Sequence, residues 1–521
     1  MTVDALPGNQ VKSVKTLVPL SGKMYRKVES LPTQPENFEL PFEGKLSQDN
    51  RWVIMANLVP WDEFEEEYAK KFAVDRGAPA LPFRMALGAL IIKEKLGISD
   101  RETVEQIKEN PYLQYFIGGK TYSNSSPFDA STLVRFRERI SVDLVNQVNE
   151  KMVMNIRESP LPQVDLPEKE AEKPSNRGKL ILDATCAPGD ISYPYDLGLL
   201  NKARVQTEEI IDRLYEALKE KIEKKPRTYR NIARKDYLQV AKKRRPSNKE
   251  IRKGIKKQLQ YIKINLAHID QLIQAGASLE VLNKRQYKSL LVVNEVYRQQ
   301  QWMYEHKLRS IEDRIVSLSQ PHIRPIVRGK AGTPVEFGAK LSVSLRDGYV
   351  FLDRISWDNF NESGDLKAQV EAYYSLTGVY PESVHVDKIY RTRSNRAFCK
   401  ERGIRLSGPP LGRPPATVSP EKKRQAVEDE RIRNSIEGKF GQGKRRFSLN
   451  RIMTKLPNTS QTAIAITFLV MNLSALLRQV FCLFLCLKLS ERLFRVSSIV
   501  KNYSCRIFPQ SKLIFTSGLH N

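Results

Sequence analysis

The chain has 521 residues, and 86 Lys and Arg against 59 Asp and Glu give it a formal net charge of +27. Its hydrophobic content of 40% excludes a disordered chain, and the length allows several domains around a sizeable core. An excess of positive charge this large predicts a polyanionic partner, most simply nucleic acid. A basic but inert surface is the alternative, which we disfavour because the charge is clustered.

The cysteines and the apolar segments indicate a reducing, cytoplasmic environment. None of the five cysteines forms a Cys-x-x-Cys pair, and a chain of this length does not need disulfides to fold. The N-terminal residues MTVDALPGNQVKSVKT contain no apolar run, so they do not predict a signal peptide. Residues 462–489 are the most apolar stretch, but Asn472, Arg478 and Gln479 interrupt it. Buried helices are therefore favoured over a membrane anchor.

Residues 24–155 predict an all-helical N-terminal domain. The segment PFRMALGALIIKEKLG has apolar residues at mostly helical spacing, and Gly97 is expected to end this helix. Ser99 stands three residues before Glu102, the spacing of a capping box at the start of a second helix. Two helices joined by a short turn are typical of a DNA-binding helix-turn-helix and also of an ordinary helical hairpin. The sequence leaves both interpretations open.

A third helix is predicted to open near Asp129, in the segment STLVRFRERI. It carries Arg135 and Arg139 on one face, four residues apart. Such a pair can bind phosphates, although it can equally form a solvated face. Residues 156–178 are rich in Pro and Glu and lack apolar periodicity, so they predict a linker.

A short strand, KLILDAT, is predicted at residues 179–185, and residues 201–320 then predict long polar helices. Residues 201–260 contain 20 Lys or Arg and 8 Asp or Glu. This density predicts an arm that contacts phosphates, and its densest run is Lys242, Lys243, Arg244 and Arg245. A solvated spacer is the alternative interpretation.

After this basic segment the pattern changes to strands. Asp347-Gly348 separates two β-rich runs, which predicts a hairpin. A helix, a short strand that ends at Asp387, a basic helix and another strand follow. The last helix of this unit is expected to start near Ser419 and to carry Glu437. The order of elements indicates a mixed α/β architecture.

Three acids in this order suggest a metal site. Asp183 and Asp387 both end apolar strands, and a helix packed at the same edge could bring Glu437 to them. Three converging carboxylates repel one another and must bind cations, and hard oxygen ligands suit Mg²⁺ or Mn²⁺. Two such ions would activate a water or a 3′-hydroxyl and stabilise the leaving oxygen of a phosphoryl transfer. One acid alone would more simply serve solubility, but three acids in a basic protein favour a site.

Three segments resemble the catalytic blocks of DDE transposases from bacterial insertion sequences, especially the insertion sequence five superfamily and its relatives. They are LILDATCAPGDISYPYD, VHVDKIYRTRSNRAFCKERGIRLSGPPLGRP and RNSIEGKFGQGKRR, and FDASTLVRFRERI resembles that family's N-terminal domain. The resemblance covers roughly residues 24–480. It implies an α/β fold in which an all-α DNA-binding domain precedes a ribonuclease H-like catalytic core. Residues 179–200 and 321–458 would form this core, interrupted by a helical insertion at 201–320.

The resemblance also implies the site residues. Asp183, Asp387 and Glu437 would be the catalytic, metal-binding triad, with Mg²⁺ as the cofactor and Mn²⁺ as a possible substitute. Related transposases show a Tyr, Arg, Glu, Lys pattern around the third acid. Arg433 and Lys444 match the second and fourth of these, four residues before and seven after Glu437.

Those spacings are close to whole helical turns, so Arg433 and Lys444 are expected to lie near Glu437 and, with Arg445, to hold DNA strand ends. The tyrosine position is occupied by Glu430. Nearby glycines are unfavourable inside a helix, and whether the helix breaks after Gly438 stays open.

The leading functional prediction is a transposase that binds its element's inverted terminal repeats, cleaves the ends and joins the 3′-OH to target DNA. Its partners would be double-stranded element ends and target DNA, bound by a homodimer or higher oligomer near the bacterial nucleoid and without a membrane. A catalytically inactive DNA-binding derivative and a metal-dependent nuclease of the same fold are the alternatives. We expect residues 24–155 to fold alone and recognise the ends, and residues 459–490 to form apolar helices. Residues 491–521 carry no motif.

Overall fold

The computed structural model describes residues 34–40, 44–72, 80–158, 176–327, 335–408 and 419–507. Within these ranges the chain has a mixed α/β architecture, as the sequence predicts. Most of the predicted linker and the Pro/Gly-rich run after residue 408 lie outside the described residues. The first residues of the predicted N-terminal domain and the end of the tail lie outside them too.

The N-terminal segment is all-helical, as predicted. Gly97 ends α3 with a φ of +69°, and the Ser99 hydroxyl accepts the Glu102 N–H to cap α4. The helices are α1 (Arg51–Leu58), α2 (Glu65–Ala69), α3 (Phe83–Leu96), α4 (Asp100–Glu109), α5 (Pro111–Phe116), α6 (Thr132–Arg139) and α7 (Val142–Glu158).

A curved sheet lies at the centre of the second half of the chain. Its strands are β1 (Lys179–Pro188), β2 (Arg324–Val327), β3 (Val335–Arg346), β4 (Tyr349–Ser356), β5 (Ser383–His385) and β6 (Arg405–Leu406). Their spatial order is β2-β3-β1-β5-β6, and β4 also pairs with β3. Strand β1 runs antiparallel to β3 and parallel to β5, and it continues seven residues past Ile181, which pairs with the last residue of β5.

The predicted hairpin is confirmed at Asp347-Gly348, which connects β3 to β4. Both residues have positive φ, +48° and +84°, as the tightest hairpin turns require. Arg346 therefore pairs directly with Tyr349.

Four helices between β1 and β2 confirm the helical character of residues 201–320. They are α8 (Asp196–Glu216), α9 (Arg230–Ala241), α10 (Asn248–Gln274) and α11 (Lys284–His306). Buried apolar residues of α8, α10 and α11, such as Leu200, Ile262 and Val293, form clusters separate from the core of the sheet. The insertion is thus a packed helical unit.

The two faces of the sheet contact different helices because side chains alternate along a strand. On one face Leu180 and Leu182 pack with α12 (Leu366–Thr377) and α13 (Arg393–Glu401). On the other, Ile181 shares a core with α14 (Pro420–Arg446) and α15 (Pro457–Ile507).

Helix α15 is a single helix where the sequence analysis expected several, and it continues past residue 490 into the predicted tail. The reason is that no Gly or Pro interrupts the chain between Pro457 and Ile507. Its part Pro457–Leu483 is the one helix in the described chain that is long and apolar enough to cross a membrane. However, 72% of its most apolar window is buried inside the protein, which is typical of a core helix.

Helix α15 joins the N-terminal helices to the sheet through buried polar contacts. The Asn472 amide donates to Val350 O of β4 at 2.7 Å and to the Asn149 side chain of α7 at 3.0 Å. The Thr462 hydroxyl lies 3.0 Å from Arg137 O at the end of α6. Apolar residues of the N-terminal helices, α15 and the sheet form one continuous core. This arrangement argues against the expectation that residues 24–155 fold alone, because α15 covers their apolar face.

Candidate active site

The three acids singled out in the sequence line one cavity of about 1010 Å³. Asp183 comes from the middle of β1, Asp387 from the turn after β5 and Glu437 from α14. Arg433 and Lys444 of α14 line the same cavity. The fold thus brings five residues to one cavity, although Asp183 and Lys444 are 261 positions apart in the chain.

The pairing of β1 with β5 accounts for the position of the two aspartates. Ile181 pairs with His385, and Asp183 and Asp387 each lie two residues further along. Both therefore reach the same level of the sheet, at the edge where β5 has ended and β1 continues. The Asp183 carboxylate accepts the Ala184 N–H at 2.7 Å, and the Asp387 carboxylate accepts the Lys388 N–H at 2.6 Å. These contacts orient both side chains.

Helix α14 brings Glu437 to this edge, and it starts where predicted, with the Ser419 hydroxyl accepting the Lys422 N–H. None of its glycines breaks it. A side chain at Gly438 would meet no atom within 4 Å, whereas one at Gly443 would lie 3.0 Å from Leu449 Cδ2. Gly443 therefore allows α14 to pack closely, and Gly438 has no such role.

Arg433 lies between two of the acids. Its Nη1 is 3.0 Å from Glu437 Oε1 and 4.0 Å from Asp183 Oδ2. Its Nη2 is 2.8 Å from Glu430 Oε1, and the hydrogen bonds to Glu430 are the main reason that the pKa of Arg433 is raised. Glu430, at the family's tyrosine position, thus binds Arg433 and lies beside a neighbouring depression between α14 and β6.

The donor set fits a hard divalent cation in its chemistry, because Asp183, Asp387 and Glu437 offer only carboxylate oxygens. In their present arrangement they do not form a ready cation site. Among the described residues, no three His, Cys, Asp or Glu side chains are close enough together to hold a metal ion. Since Arg433 already pairs with Glu437, a cation would have to compete with its guanidinium.

Helix α14 is anchored to the sheet two turns before Glu437. Asp429 accepts two hydrogen bonds from Arg405 of β6, at 2.8 and 2.9 Å. The Nδ1 atom of His385, buried on β5, lies 3.6 Å from the same carboxylate, and burial lowers the pKa of this histidine. These contacts fix the rotation of α14 and hence the direction in which Glu437 projects.

Sequence reasoning missed Lys340 and Glu362, which also line the cavity. Lys340 Nζ lies 2.6 Å from Glu362 Oε2, and Asn361 caps the short turn that carries Glu362. The segment SWDNFNESGD after β4 contains polar residues without a spacing that indicates a site. Only the folded structure shows that Lys340 and Glu362 lie at the cavity.

The remaining residues predicted to bind DNA lie outside this cavity. Arg445 is exposed on α14, where its guanidinium folds over Gly441. Arg135 is exposed on α6, whereas the Arg139 guanidinium lies 4.5 Å from the centre of the Phe72 ring and packs within the helical domain.

The basic run of the insertion, Lys242, Lys243, Arg244 and Arg245, lies in the turn between α9 and α10. All four residues are exposed, and Lys243 forms an ion pair with Glu250. A binding partner can therefore reach these four side chains.

Comparisons with known proteins agree with the geometry. A family model described as a transposase DDE domain matches residues 384–474, which include Asp387 and Glu437. A second model, described as a transposase domain (DUF772), matches residues 40–139 in the N-terminal helices. An uncharacterized protein, ORF8 in the nfe locus of Rhizobium meliloti, is 30% identical over 151 residues, which are 29% of this chain and 68% of that protein. No solved structure matches. Two transposase domains matched in one chain, with Asp387 and Glu437 of the DDE domain at one cavity, identify it as a DDE transposase of insertion sequences.

Proposed function

We propose that this transposase binds the inverted terminal repeats of its insertion sequence, cleaves the DNA at the element ends and joins the 3′-OH to target DNA. The observation that supports this most directly is that Asp183, Asp387 and Glu437 line one cavity together with Arg433 and Lys444. Acids bind cations and the basic groups bind phosphates, so the cavity combines both requirements of phosphoryl transfer.

The sheet supports a ribonuclease H-like catalytic core. Strands β4, β3 and β1 form an antiparallel unit, and β5 and β6 extend it with strands parallel to β1. The first acid lies on the central strand of this order and the second follows its parallel neighbour. Residues 201–320 are then an insertion between the first strand and the rest of the core.

Asp183, Asp387 and Glu437 would hold Mg²⁺ or Mn²⁺ at this edge of the sheet. Two such ions, when bound, supply an activated attacking oxygen and charge stabilisation on the leaving oxygen. Arg433 would exchange its contact with Glu437 for a phosphate oxygen of the DNA strand, since a guanidinium binds phosphate in two-point geometry. Lys444, whose Nζ lies 3.7 Å from Glu336 Oε1, is the second basic group of the cavity that would bind the strand end.

The exposed run at Lys242, Lys243, Arg244 and Arg245 would contribute affinity without sequence preference. Replacing all four with Ala should weaken binding to every DNA sequence alike. Each lost phosphate contact lowers the slope of log K against log salt by roughly 0.9. Lys243 already pairs with Glu250, so we expect the slope to fall by about 3 rather than about 4 units. An unchanged slope would make the run a spacer.

The test of the catalytic site uses the full chain, a duplex of the element end and a divalent cation. Asp183→Asn, Asp387→Asn and Glu437→Gln should each abolish cleavage and retain DNA binding, because an amide cannot supply an anionic ligand. Glu428→Gln is the matched control and should keep cleavage, since Glu428 is exposed on α14 and does not line the cavity. Near-complete cleavage by any one triad variant would remove that residue from the site.

A strand-transfer assay distinguishes the three candidate functions. A transposase joins the cleaved 3′-OH to a second duplex, a plain nuclease only cleaves, and an inactive DNA-binding derivative does neither. We propose that the active species is a homodimer or higher oligomer on DNA. The mass of the protein–DNA complex in solution would be twice the expected 1:1 mass, or larger, and a 1:1 mass would contradict this.

A further inference from the structure

A second cavity, of about 590 Å³, lies where the chain leaves β1 and enters the helical insertion. Tyr193, Tyr195 and Tyr237 line it, together with Lys202 and Arg285. Tyr193 is 77% exposed and Tyr195 is 49% exposed, more than any other Phe, Tyr or Trp side chain among the described residues. Exposed rings beside basic side chains are the features of surfaces that bind single-stranded nucleic acid.

The exposed rings are held in place. The Tyr193 ring packs edge-on against Phe337 of β3, with 5.7 Å between ring centres and an angle of 89°. The Tyr195 ring lies against the backbone of α8 at Gly198, where an added Cβ would be 2.6 Å from Tyr195 Cζ. Its hydroxyl lies 2.7 Å from the hydroxyl of Tyr237. Ordered rings with an accessible face lose little entropy when another ring stacks on them.

The polar groups of the cavity suit a nucleotide. Lys202 and Arg285 are exposed cations, and Lys202 Nζ donates to Ser192 Oγ at 2.8 Å. The Gln206 Oε1 atom is buried and has no hydrogen-bond partner, so it can accept from the edge of a base. Glu209 is the acid among the residues that line the cavity. Two cations against one acid leave the lining positive.

The cavity is connected to the acids through β1. Five residues separate Asp183 from Pro188, the end of the strand, which is about 17 Å at the rise of a β-strand. Tyr193 follows five residues later and packs on β3, the strand next to β1. At the 3.4 Å rise of duplex DNA, about 17 Å corresponds to roughly five nucleotides, and to fewer where the strand is unpaired and extended.

We propose that this cavity binds an unpaired DNA base, stacked on Tyr193, roughly three to seven nucleotides from the phosphate at the acid cavity. The inference deepens the proposed function and rests on it for the identity of the DNA. Stacking on an aromatic ring accepts any base, so the site would hold a displaced strand without reading its sequence.

The first experiment measures affinity of the full chain for a single-stranded oligodeoxythymidine, which requires neither cleavage nor end recognition. Tyr193→Ala should weaken binding by about 5- to 150-fold, and Tyr193→Phe should bind like the unaltered protein. Tyr287→Ala is the matched control, since this tyrosine of α11 is 44% exposed and does not line the cavity. Equal affinity of all three variants would overturn the proposal.

The second experiment locates the base. A fluorescent adenine analogue is placed at successive positions of an element-end duplex and bound to the Asp183→Asn protein, so that no cleavage occurs. The fluorescence should be quenched at one or two positions near the expected distance, and Tyr193→Ala should abolish this quenching. Quenching that survives Tyr193→Ala would overturn the proposal.

These outcomes are independent of the triad experiment. If the unaltered protein cleaves DNA but shows no stacking, the base site is rejected and the proposed function is kept. If the unaltered protein shows stacking but does not cleave DNA, the base site is kept and the proposed function is rejected. If Tyr193→Ala instead changes the oligomeric mass without DNA, the cavity is a contact between copies of the chain and the base site is rejected.

Discussion

Arg433 Nη1 lies 3.0 Å from Glu437 Oε1, one helical turn along α14, and 4.0 Å from Asp183 Oδ2. A single guanidinium is therefore held between two acids of the cavity. The Glu437 side chain is 55% exposed, so this ion pair contributes little to folding stability. Its consequence is electrostatic, because the arginine partly neutralises the acids that a cation would need.

Replacing Arg433 with Ala should raise the affinity for divalent cations and lower DNA-end cleavage. The first effect follows from the loss of a competing positive charge, and the second from the loss of a phosphate contact. Calorimetric titration with Mg²⁺ and a cleavage assay measure the two effects. Arg431→Ala, an exposed neighbour on α14, is the control. Unchanged Mg²⁺ affinity in Arg433→Ala would show that the guanidinium does not compete for the acids.

The glycines of α14 should respond in opposite ways to substitution. Gly438→Ala is expected to stabilise the protein by about 0.5–1 kcal/mol, since the site is open and alanine favours the helix. Gly443→Ala should be neutral or destabilising, because its Cβ would lie 3.0 Å from Leu449 and 3.3 Å from Met471. Chemical unfolding of both variants gives the comparison. A stabilising Gly443→Ala would mean that α14 can move away from Leu449 at no cost.

The N-terminal helices should not fold without α15. A fragment of residues 24–158 leaves the face covered by α15 exposed, including the Asn149 partner of Asn472. We expect this fragment to lack a cooperative thermal transition by circular dichroism. Attaching residues 457–483 through a flexible linker should restore one. A sharp transition in the fragment alone would show that the remaining helical core is sufficient.

His322 should make the protein less stable in acid. Burial against Trp357, with 4.4 Å between ring centres, lowers its pKa from 6.5 to about 4. Between these values the unfolded chain binds a proton that the folded chain does not, so stability falls as the pH falls. His322→Phe should remove about 1 kcal/mol of this loss at pH 5, because the ring is only partly buried. Urea unfolding at pH 5 and pH 7 measures it, with the substitution His306→Gln at an exposed histidine as the control.

Local chemistry made part of this fold predictable. Gly97 and Ser99 mark a helix end and the next helix start, and Asp347-Gly348 requires positive φ at both positions. Each signal acts within four residues, so tertiary structure did not have to be known. The start of α14 at Ser419 was predictable for the same reason.

Other features depend on contacts between distant residues. Glu362 reaches the cavity through a loop without a motif, and Lys340 pairs with it across 22 positions. Arg139 shares a helical face with Arg135 in the sequence, but its guanidinium packs on the ring of Phe72, which is distant in the chain. Gly443 lets α14 pack closely against Leu449, a contact that helix propensity alone does not predict.

The position of α15 has a consequence for synthesis of the protein. Translation proceeds from the N-terminus at roughly 5–20 residues per second, so α1 to α7 leave the ribosome roughly 15–60 s before α15 is made. Throughout this interval the nascent helices lack the partner that completes their core. A product truncated before residue 457 would expose this apolar face to chaperones and proteases. We therefore expect folded N-terminal helices only in a chain that has been translated through α15.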